Sequence, residues 1–106
     1  MQYDVFKKLG GDFLARMQDL LDKKGADYTC GDEDRLANFK RLAERTGVTP
    51  MQVWWVFVQK HLAAIENYVK SGKVESEPIH GRLQDVANYC LLASALIEDL
   101  AETRKE

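Results

Sequence analysis

Several carboxylates in the sequence have the type and spacing that a divalent cation requires. Asp19 and Asp22 are three residues apart, Asp27 follows them closely, and Asp85 lies in a later segment with helical spacing. Hard oxygen ligands that converge from facing helices can hold Mg²⁺ against the phosphates of a nucleotide. One interpretation is therefore a hydrolytic metal site with Asp27 and Asp85 as ligands. The other is that these acids are solvated surface and helix-capping residues.

A second group of polar residues interrupts apolar helical segments in the second half of the chain. Lys60 and His61 break a strongly apolar run, while Arg82, Asp85 and Asn88 recur every three residues and so share one helix face. Polar groups in such positions need hydrogen-bonding partners or a wet cavity. Two interpretations stay open. Lys60 and Arg82 neutralise a bound phosphate, or Lys60 forms a structural pair with Asp85 beside a core histidine.

The segment that connects the first two predicted helices contains residue types that recognise nucleotides. Lys24 can meet a phosphate, Tyr28 or Phe39 can stack on a base, and Asn38 can hydrogen-bond to its edge. The chain has no P-loop, GxGxxG, HExxH or Ser/His/Asp signature. The segment is compatible with a nucleotide pocket but does not identify one by itself.

Length and charge limit the classes of protein to which the chain can belong. Its 106 residues and 12.1 kDa fit one domain, residues 1–106, with a single core. Lys and Arg number 15 against 17 Asp and Glu, a net charge of −2. This balance disfavours a basic nucleic-acid-binding module and a polybasic membrane binder. We therefore expect neither a membrane nor a nucleic acid as partner.

Cysteine usage and apolar stretches favour a cytoplasmic protein. Cys30 and Cys90 lie outside any CxxC or His-spaced motif, so we expect two reduced thiols, with Cys90 in the core and Cys30 in a polar loop. The N-terminal segment lacks the apolar stretch of a secretory signal. The longest apolar stretch, Val53 to Val58, is too short to span a membrane.

Hydrophobic spacing predicts an all-α, single-domain bundle of four main helices. The first helix is expected to begin at Asp12 as its N-cap and to end at Lys24, where Gly25 stops it. The residues Met1 to Leu9 fit a short extra helix before it. The inward face of the first helix is formed by Phe13, Met17, Leu20 and Leu21.

The second and third helices have clearer boundaries. The second is short, is capped by an acid of the preceding DED run and ends at Gly47. The third begins at Thr49, because Thr49 and Gln52 form a capping box with Pro50 at the first helical position. It is expected to end at Gly72.

The fourth helix is predicted to begin at or just after Pro78 and to be long. Its core-facing stripe is expected to exclude Asp85 and Asn88, which fall on the opposite side. The residues of that stripe are Ile79, Leu83, Val86, Cys90, Ile97 and Ala101.

The first half of the third helix is apolar on every side, which a small monomeric bundle seldom needs. Trp54 and Trp55 point about 100° apart, so at least one is expected to face another subunit or a ligand pocket. We expect a homo-oligomer whose interface includes Trp54 or Trp55. The alternatives are a one-chain core and a ligand platform.

These motifs together resemble a family of small tailed-phage and prophage proteins related to the nucleotide modification associated domain 1 group. The resemblance covers about residues 12–100. It is carried by Lys24, Asp27, Tyr28, Asn38, Phe39, Lys60, His61, Ser76-Glu77-Pro78-Ile79, Gly81, Arg82, Asp85, Asn88 and Tyr89.

A more distant resemblance is to the all-α nucleotide pyrophosphatases of the MazG type, in which ExxE and ExxD motifs hold Mg²⁺. The segment RLQDVANYCLLA resembles the second motif, with Asp85 at the aspartate and Arg82 at the glutamate position. Asp19 and Asp22 are the nearest equivalent of the first motif. The resemblance thus implies phosphate binding more than metal-dependent hydrolysis.

The sequence predicts a phage-type nucleotide-binding protein that sequesters a host signalling nucleotide or cyclic nucleotide, in a pocket between helices or subunits. Its setting would be the cytoplasm of an infected or lysogenic bacterium. One alternative is a pyrophosphatase or nucleotide-modification factor with Mg²⁺ on Asp27 and Asp85. A further alternative is an oligomeric protein-interaction module. Whether a bound nucleotide is hydrolysed stays open.

Overall fold

The chain folds into four α-helices with the bounds α1 Tyr3–Thr29, α2 Ala37–Thr46, α3 Pro50–Ser71 and α4 Ile79–Lys105. This computed structural model describes residues 1–29, 34–73 and 78–105, with the side chains of residues 1–23, 34–73 and 78–102. α3 packs against α2 and α4, and α1 packs against α4 and α2. The predicted all-α, single-domain bundle is confirmed. Within the described ranges, no helix is long and apolar enough to cross a membrane.

α1 is a single helix rather than a short helix followed by a longer one. It continues through Gly10 and Gly11 and past Gly25, so the predicted start at Asp12 and stop at Gly25 are wrong. Phe6 and Phe13 are seven residues apart, so the two segments share one apolar face. A glycine inside a helix costs only about 1 kcal/mol relative to alanine, so the two glycines weaken α1 without ending it.

The predicted inward face of α1 is half-buried at Phe13, Met17, Leu20 and Leu21. The first twelve residues of the chain are all exposed, so the N-terminal three turns of α1 project beyond the bundle. The molecule is accordingly elongated, 49 × 29 × 25 Å.

The predicted end of α2 and both predicted ends of α3 are confirmed. Gly47 and Gly72 end these helices in the left-handed conformation, with φ of 74° and 73°. At the start of α3, the Thr49 hydroxyl accepts from the Gln52 backbone N–H at 3.1 Å, and the Gln52 side chain accepts from the Thr49 N–H at 2.8 Å. The capping box thus satisfies two N–H groups that the helix itself leaves without partners.

Replacing Thr49 by alanine is expected to lower the free energy of unfolding by about 1 kcal/mol, because the Gln52 N–H loses its acceptor. Urea unfolding followed by circular dichroism measures this. Thr46→Ala is the matched control, since the Thr46 hydroxyl bonds to a carbonyl of its own helix and caps nothing. Equal effects of the two substitutions would contradict the assigned role of the cap.

The apolar core lies where α2, α3 and α4 meet. It is built on Leu36, Phe39, Ala43, Val53 and Leu96. The rings of Phe39 and Phe57 are 5.9 Å apart and tilted by 48°. The Trp54 indole N–H donates to the Tyr89 carbonyl at 2.7 Å and so ties the start of α3 to the middle of α4.

α4 turns a different face to the bundle from the one its hydropathy predicts. Arg82, Asp85 and Asn88 are buried, while Leu83 and Ile97 of the predicted core stripe are exposed. Cys90, expected in the core, is an exposed free thiol. The reason is that Leu96 shares a face with Arg82 and Asp85, so this face is apolar at one end and polar at the other. The bundle buries both ends and leaves the uniformly apolar stripe outside.

α2 is joined to α4 by an ion pair network at its start. Lys40 Nζ lies 2.6 Å from Asp34 and 3.4 Å from Asp99. The carboxylate of Asp34 also accepts from the Leu36 backbone N–H at 2.9 Å. This acid therefore organises the turn before α2. The N-cap residue of α2 is Leu36, without a side-chain cap bond, so the predicted cap by an acid of the DED run is wrong. The Lys40 side chain and the Leu36 N–H hold the pKa of Asp34 below its ordinary value.

Replacing Asp34 by asparagine is expected to lower the free energy of unfolding by up to about 1 kcal/mol near neutral pH, because the pair is substantially exposed. A carboxyl whose pKa is lower in the folded state contributes stability above its unfolded pKa, here 3.8, and loses it as the pH falls through the folded pKa. The difference between wild type and variant should therefore disappear in acid.

Urea unfolding from neutral pH down through the unfolded pKa of Asp34 measures this difference. Glu44→Gln on the exposed part of α2 controls for the loss of one negative charge. A wild-type advantage that persists unchanged in acid would refute the assigned role of Asp34.

Candidate functional site

A group of buried charged and polar residues lies between α3 and α4. His61 on α3 and Arg82, Asp85 and Asn88 on α4 are each between 6% and 8% exposed. α3 and α4 run antiparallel, because Trp54 contacts Tyr89 whereas His61, two turns later, meets residues nearer the start of α4. The spacing of three residues on α4 turns the three polar side chains to one side. We call these four residues the polar cluster.

His61 is the centre of the polar cluster. Its Nδ1 atom lies 3.1 Å from Arg82 Nη1 and 3.5 Å from Asp85 Oδ2. The ring of Tyr89 covers the imidazole at a centroid distance of 5.2 Å and a tilt of 43°. A guanidinium can only donate hydrogen bonds, so Nδ1 must be the acceptor in its bond with Arg82. The bond from Arg82 thus predicts the Nε2–H tautomer for His61, whereas a bond from the same atom to Asp85 would require a proton on Nδ1.

Long-range ¹H–¹⁵N NMR at neutral pH is expected to show the Nε2–H tautomer for His61. The exposed His80 on α4 is an internal control within the same sample. In an Arg82→Gln variant the Nδ1 atom loses the guanidinium donor, so the population should shift toward the other tautomer or the charged ring. A wild-type His61 with its proton on Nδ1 would refute the arrangement.

Two buried amide oxygens in or beside the polar cluster are unusual. Among the described residues, Asn88 Oδ1 and Gln84 Oε1 have no hydrogen-bond partner. The Gln84 amide nitrogen donates to the Phe13 carbonyl of α1 at 3.2 Å, so only its oxygen is left over. A buried acceptor without a donor costs about 1–3 kcal/mol. Each of these two oxygens is therefore able to accept a hydrogen bond.

Sequence reasoning identified four of the residues that the structure brings together. His61, Arg82, Asp85 and Asn88 were all candidates, whereas Gln84 was missed, because a glutamine inside a helix carries no signal that separates it from a surface residue. Tyr89 was noted only as part of the family resemblance. Its position four residues after Asp85 was the available signal, since residues at that spacing share a helix face.

The other candidates lie elsewhere. Lys60 is exposed, so the buried Lys60–Asp85 pair that the sequence allowed is wrong. Neighbouring helical residues point about 100° apart, and His61 takes the direction toward α4. Asn38 is half-buried in the first turn of α2, and Phe39 is a core residue rather than a stacking platform.

The segment proposed to recognise the base is described in part. Lys24, Asp27 and Tyr28 belong to the C-terminal turns of α1. Their side chains lie outside the described part of the structure, as does Cys30 altogether. Their roles stay predictions.

The carboxylates of α1 form surface contacts. Asp19 pairs with Lys23 at 3.0 Å, and Asp22 accepts from Gln18 at 3.1 Å, each within one exposed helical turn. This confirms the solvated interpretation of Asp19 and Asp22. Among the described residues, no three of the types His, Cys, Asp and Glu are grouped to hold a metal ion. The Asp27–Asp85 pair stays untested, because the Asp27 side chain lies outside those residues.

The two adjacent tryptophans differ in solvent exposure. Trp54 is partly buried against α4 through its bond to Tyr89. Trp55 is 57% exposed and is followed by the exposed Val56. The two indole rings nevertheless lie 6.3 Å apart with a tilt of 31°, so they remain neighbours, and Trp55 is the one that faces outward.

Comparison with protein-family models, with curated proteins and with solved structures finds no match to this chain. The resemblance to phage nucleotide-related proteins and to MazG-type pyrophosphatases therefore rests on the residues of the sequence.

Proposed function

We propose that this protein binds a nucleotide and that Arg82 in the polar cluster contacts its phosphate. The observation that carries the proposal is the burial of a guanidinium beside an imidazole in so small a domain. A buried charge is unfavourable unless it is paired, and such groups concentrate at functional sites. The planar fork of arginine matches the oxygens of a phosphate.

The position of Arg82 on its helix supports the same ligand. Arg82 lies in the first turn of α4, where Pro78 precedes the helix and its carbonyl accepts from the N–H groups of Gly81 and Arg82. The N-terminal end of a helix carries a partial positive charge that favours anions. The guanidinium and the helix end thus act in the same sense on a phosphate.

The remaining groups of the site suit the rest of a nucleotide. The Asn88 amide oxygen can accept a hydrogen bond from a base amino group or a sugar hydroxyl, which would satisfy it. Lys60 is exposed on α3 beside His61 and is available to a second phosphate.

Binding without hydrolysis fits these surroundings better than metal catalysis does. The Asp85 carboxylate lies 3.5 Å from His61, in a cluster that already contains the Arg82 guanidinium. A Mg²⁺ ion at Asp85 would have to share the cluster with that positive charge. The role we propose is sequestration of a host signalling nucleotide or cyclic nucleotide in the bacterial cytoplasm.

Thermal unfolding of the purified chain with mono-, di-, tri- and cyclic nucleotides, each with and without Mg²⁺, tests the proposal. A ligand at 100 times its Kd stabilises by about 2.7 kcal/mol, which raises the Tm of a domain of this size by roughly 10 °C. We expect one class of nucleotide to do so and to be recovered intact by chromatography.

Variants test the site itself. Arg82→Gln is expected to remove the nucleotide-dependent shift, whereas Arg45→Gln on the exposed end of α2 should retain it. Retained helical circular dichroism shows that the Arg82 variant is folded, and Asn88→Leu is a second variant expected to weaken binding. No shift with any nucleotide would refute the proposal. A Mg²⁺-dependent loss of the nucleotide would refute binding without hydrolysis.

We also propose that the protein associates with a second copy of itself. The exposure of Trp55 beside Val56 supports this, because a large aromatic side chain at the surface favours association.

A further inference from the structure

The outward face of α4 has the repeat of a helix that pairs with another helix. Leu83, Cys90 and Ile97 are spaced by seven residues, and each is followed three residues later by a second apolar residue. These are the a and d positions of a heptad repeat. We call this set the α4 seam, and its members are Leu83, Val86, Cys90, Ala93, Ile97 and Leu100.

The α4 seam lies outside the bundle. Leu83, Cys90, Ile97 and Leu100 are exposed, and Val86 and Ala93 are half-buried. No charged residue occurs in the seam or at the adjacent positions on the same side of α4, which are Ala87, Ser94 and Ala101. An uncharged apolar surface is typical of a permanent interface between identical chains, whereas interfaces between transient partners are more polar.

The exposed area of the chain supports a permanent partner. The single chain has 7975 Å² of accessible surface. A compact monomer of this mass exposes about 6,000 Å², so the excess is about 2,000 Å². A stable interface needs about 800 Å² from each partner, and the excess is more than twice that. The projecting start of α1 contributes to the excess together with the helix faces.

A neighbouring row on α3 extends the same surface. Trp55, Leu62 and Val69 are exposed and also spaced by seven residues. On α3, this row is rotated by about 100° about the helix axis from the side that contacts α4. On α4, the seam is rotated by about 100° from the side that contacts α3. Because the two helices are antiparallel, these rows turn to the same side of the bundle.

We propose that the α4 seam is the two-fold interface of a homodimer, in which α4 of one copy packs along α4 of the other. A heptad repeat is self-complementary, so a second copy of this chain fits it without any further residue. Small residues at the middle of the seam allow the two helices to approach closely. This inference specifies the surface of the proposed self-association, and it does not depend on nucleotide binding.

Cys90 makes the arrangement measurable. It lies midway between Leu83 and Ile97, so a two-fold axis through the middle of the seam brings the Cys90 residues of both copies close together. This holds for parallel and for antiparallel pairing. In a Cys30→Ser chain Cys90 is the single thiol. A short bismaleimide is expected to link two chains through it, and sedimentation velocity is expected to give twice the mass of 12.1 kDa.

Ile97→Glu tests the seam directly. A carboxylate buried in both copies is expected to raise the Kd of the dimer by at least about 100-fold and to abolish the Cys90 crosslink. Leu91→Glu is the matched control, because Leu91 is similarly exposed on α4, at 47% against 56%, but points about 100° away from the seam. The control should remain dimeric.

Each outcome is decisive. A wild-type chain that sediments as a monomer at micromolar concentration refutes both the self-association and the seam. A dimer without a Cys90 crosslink, or one that Leu91→Glu disrupts as strongly as Ile97→Glu, refutes the seam alone. Because the crosslink is measured with the native seam intact, misfolding of the Ile97 variant cannot obscure the result.

Discussion

The burial of the Arg82 guanidinium between α3 and α4 is the constraint on which the rest of the structure depends. Arginine cannot lose its proton to avoid a low-dielectric environment, so its neighbours must satisfy it in place. His61 accepts from the Nη1 group of Arg82 through Nδ1, and Asp85 lies close to the same nitrogen. A shift of α3 along α4 by even one turn would separate these groups. The polar cluster therefore fixes the register of α3 against α4. The Trp54–Tyr89 bond holds the same register two turns away.

The same constraint determines what α4 exposes. A helix with a polar face and an apolar face normally buries the apolar one, because burial of apolar surface is the main favourable term in folding. Here the single chain buries Arg82, Asp85 and Asn88 and leaves Leu83 and Ile97 to solvent. The two faces are divided between two tasks. The mixed face completes the bundle and contains the candidate site, and the apolar face is the surface that we propose for association.

The sequence predicts those features of the fold that are decided within a few residues. The ends of α2 and α3 follow from Gly47, from Gly72 and from the Thr49–Gln52 box, since each depends only on local hydrogen bonds and φ. The course of α1 through Gly10 and Gly11 could not be predicted, because the cost of a glycine inside a helix, about 1 kcal/mol, is too small to decide whether the helix stops. The buried face of α4 likewise depends on what the neighbouring helices offer.

The candidate site could be predicted to a similar extent. The spacing of Arg82, Asp85 and Asn88 already placed them together, but not on the inside of the bundle. The sequence did not decide which of Lys60 and His61 faces α4, because either orientation leaves one polar residue in an apolar run. Phe39 was compatible with stacking on a base until the packing of α2 put it in the core. Local spacing thus groups side chains, and only packing decides which group is buried.

The free start of α1 has a consequence for the local dynamics of the molecule. Residues 1–12 are exposed on all sides, so no tertiary contact protects their helical hydrogen bonds. An isolated helical segment of about ten residues is only marginally stable in water. The amide hydrogens of this segment should therefore exchange with solvent orders of magnitude faster than those around the buried Val58 on α3. Slow exchange at the N-terminus would then report that another surface has closed over it.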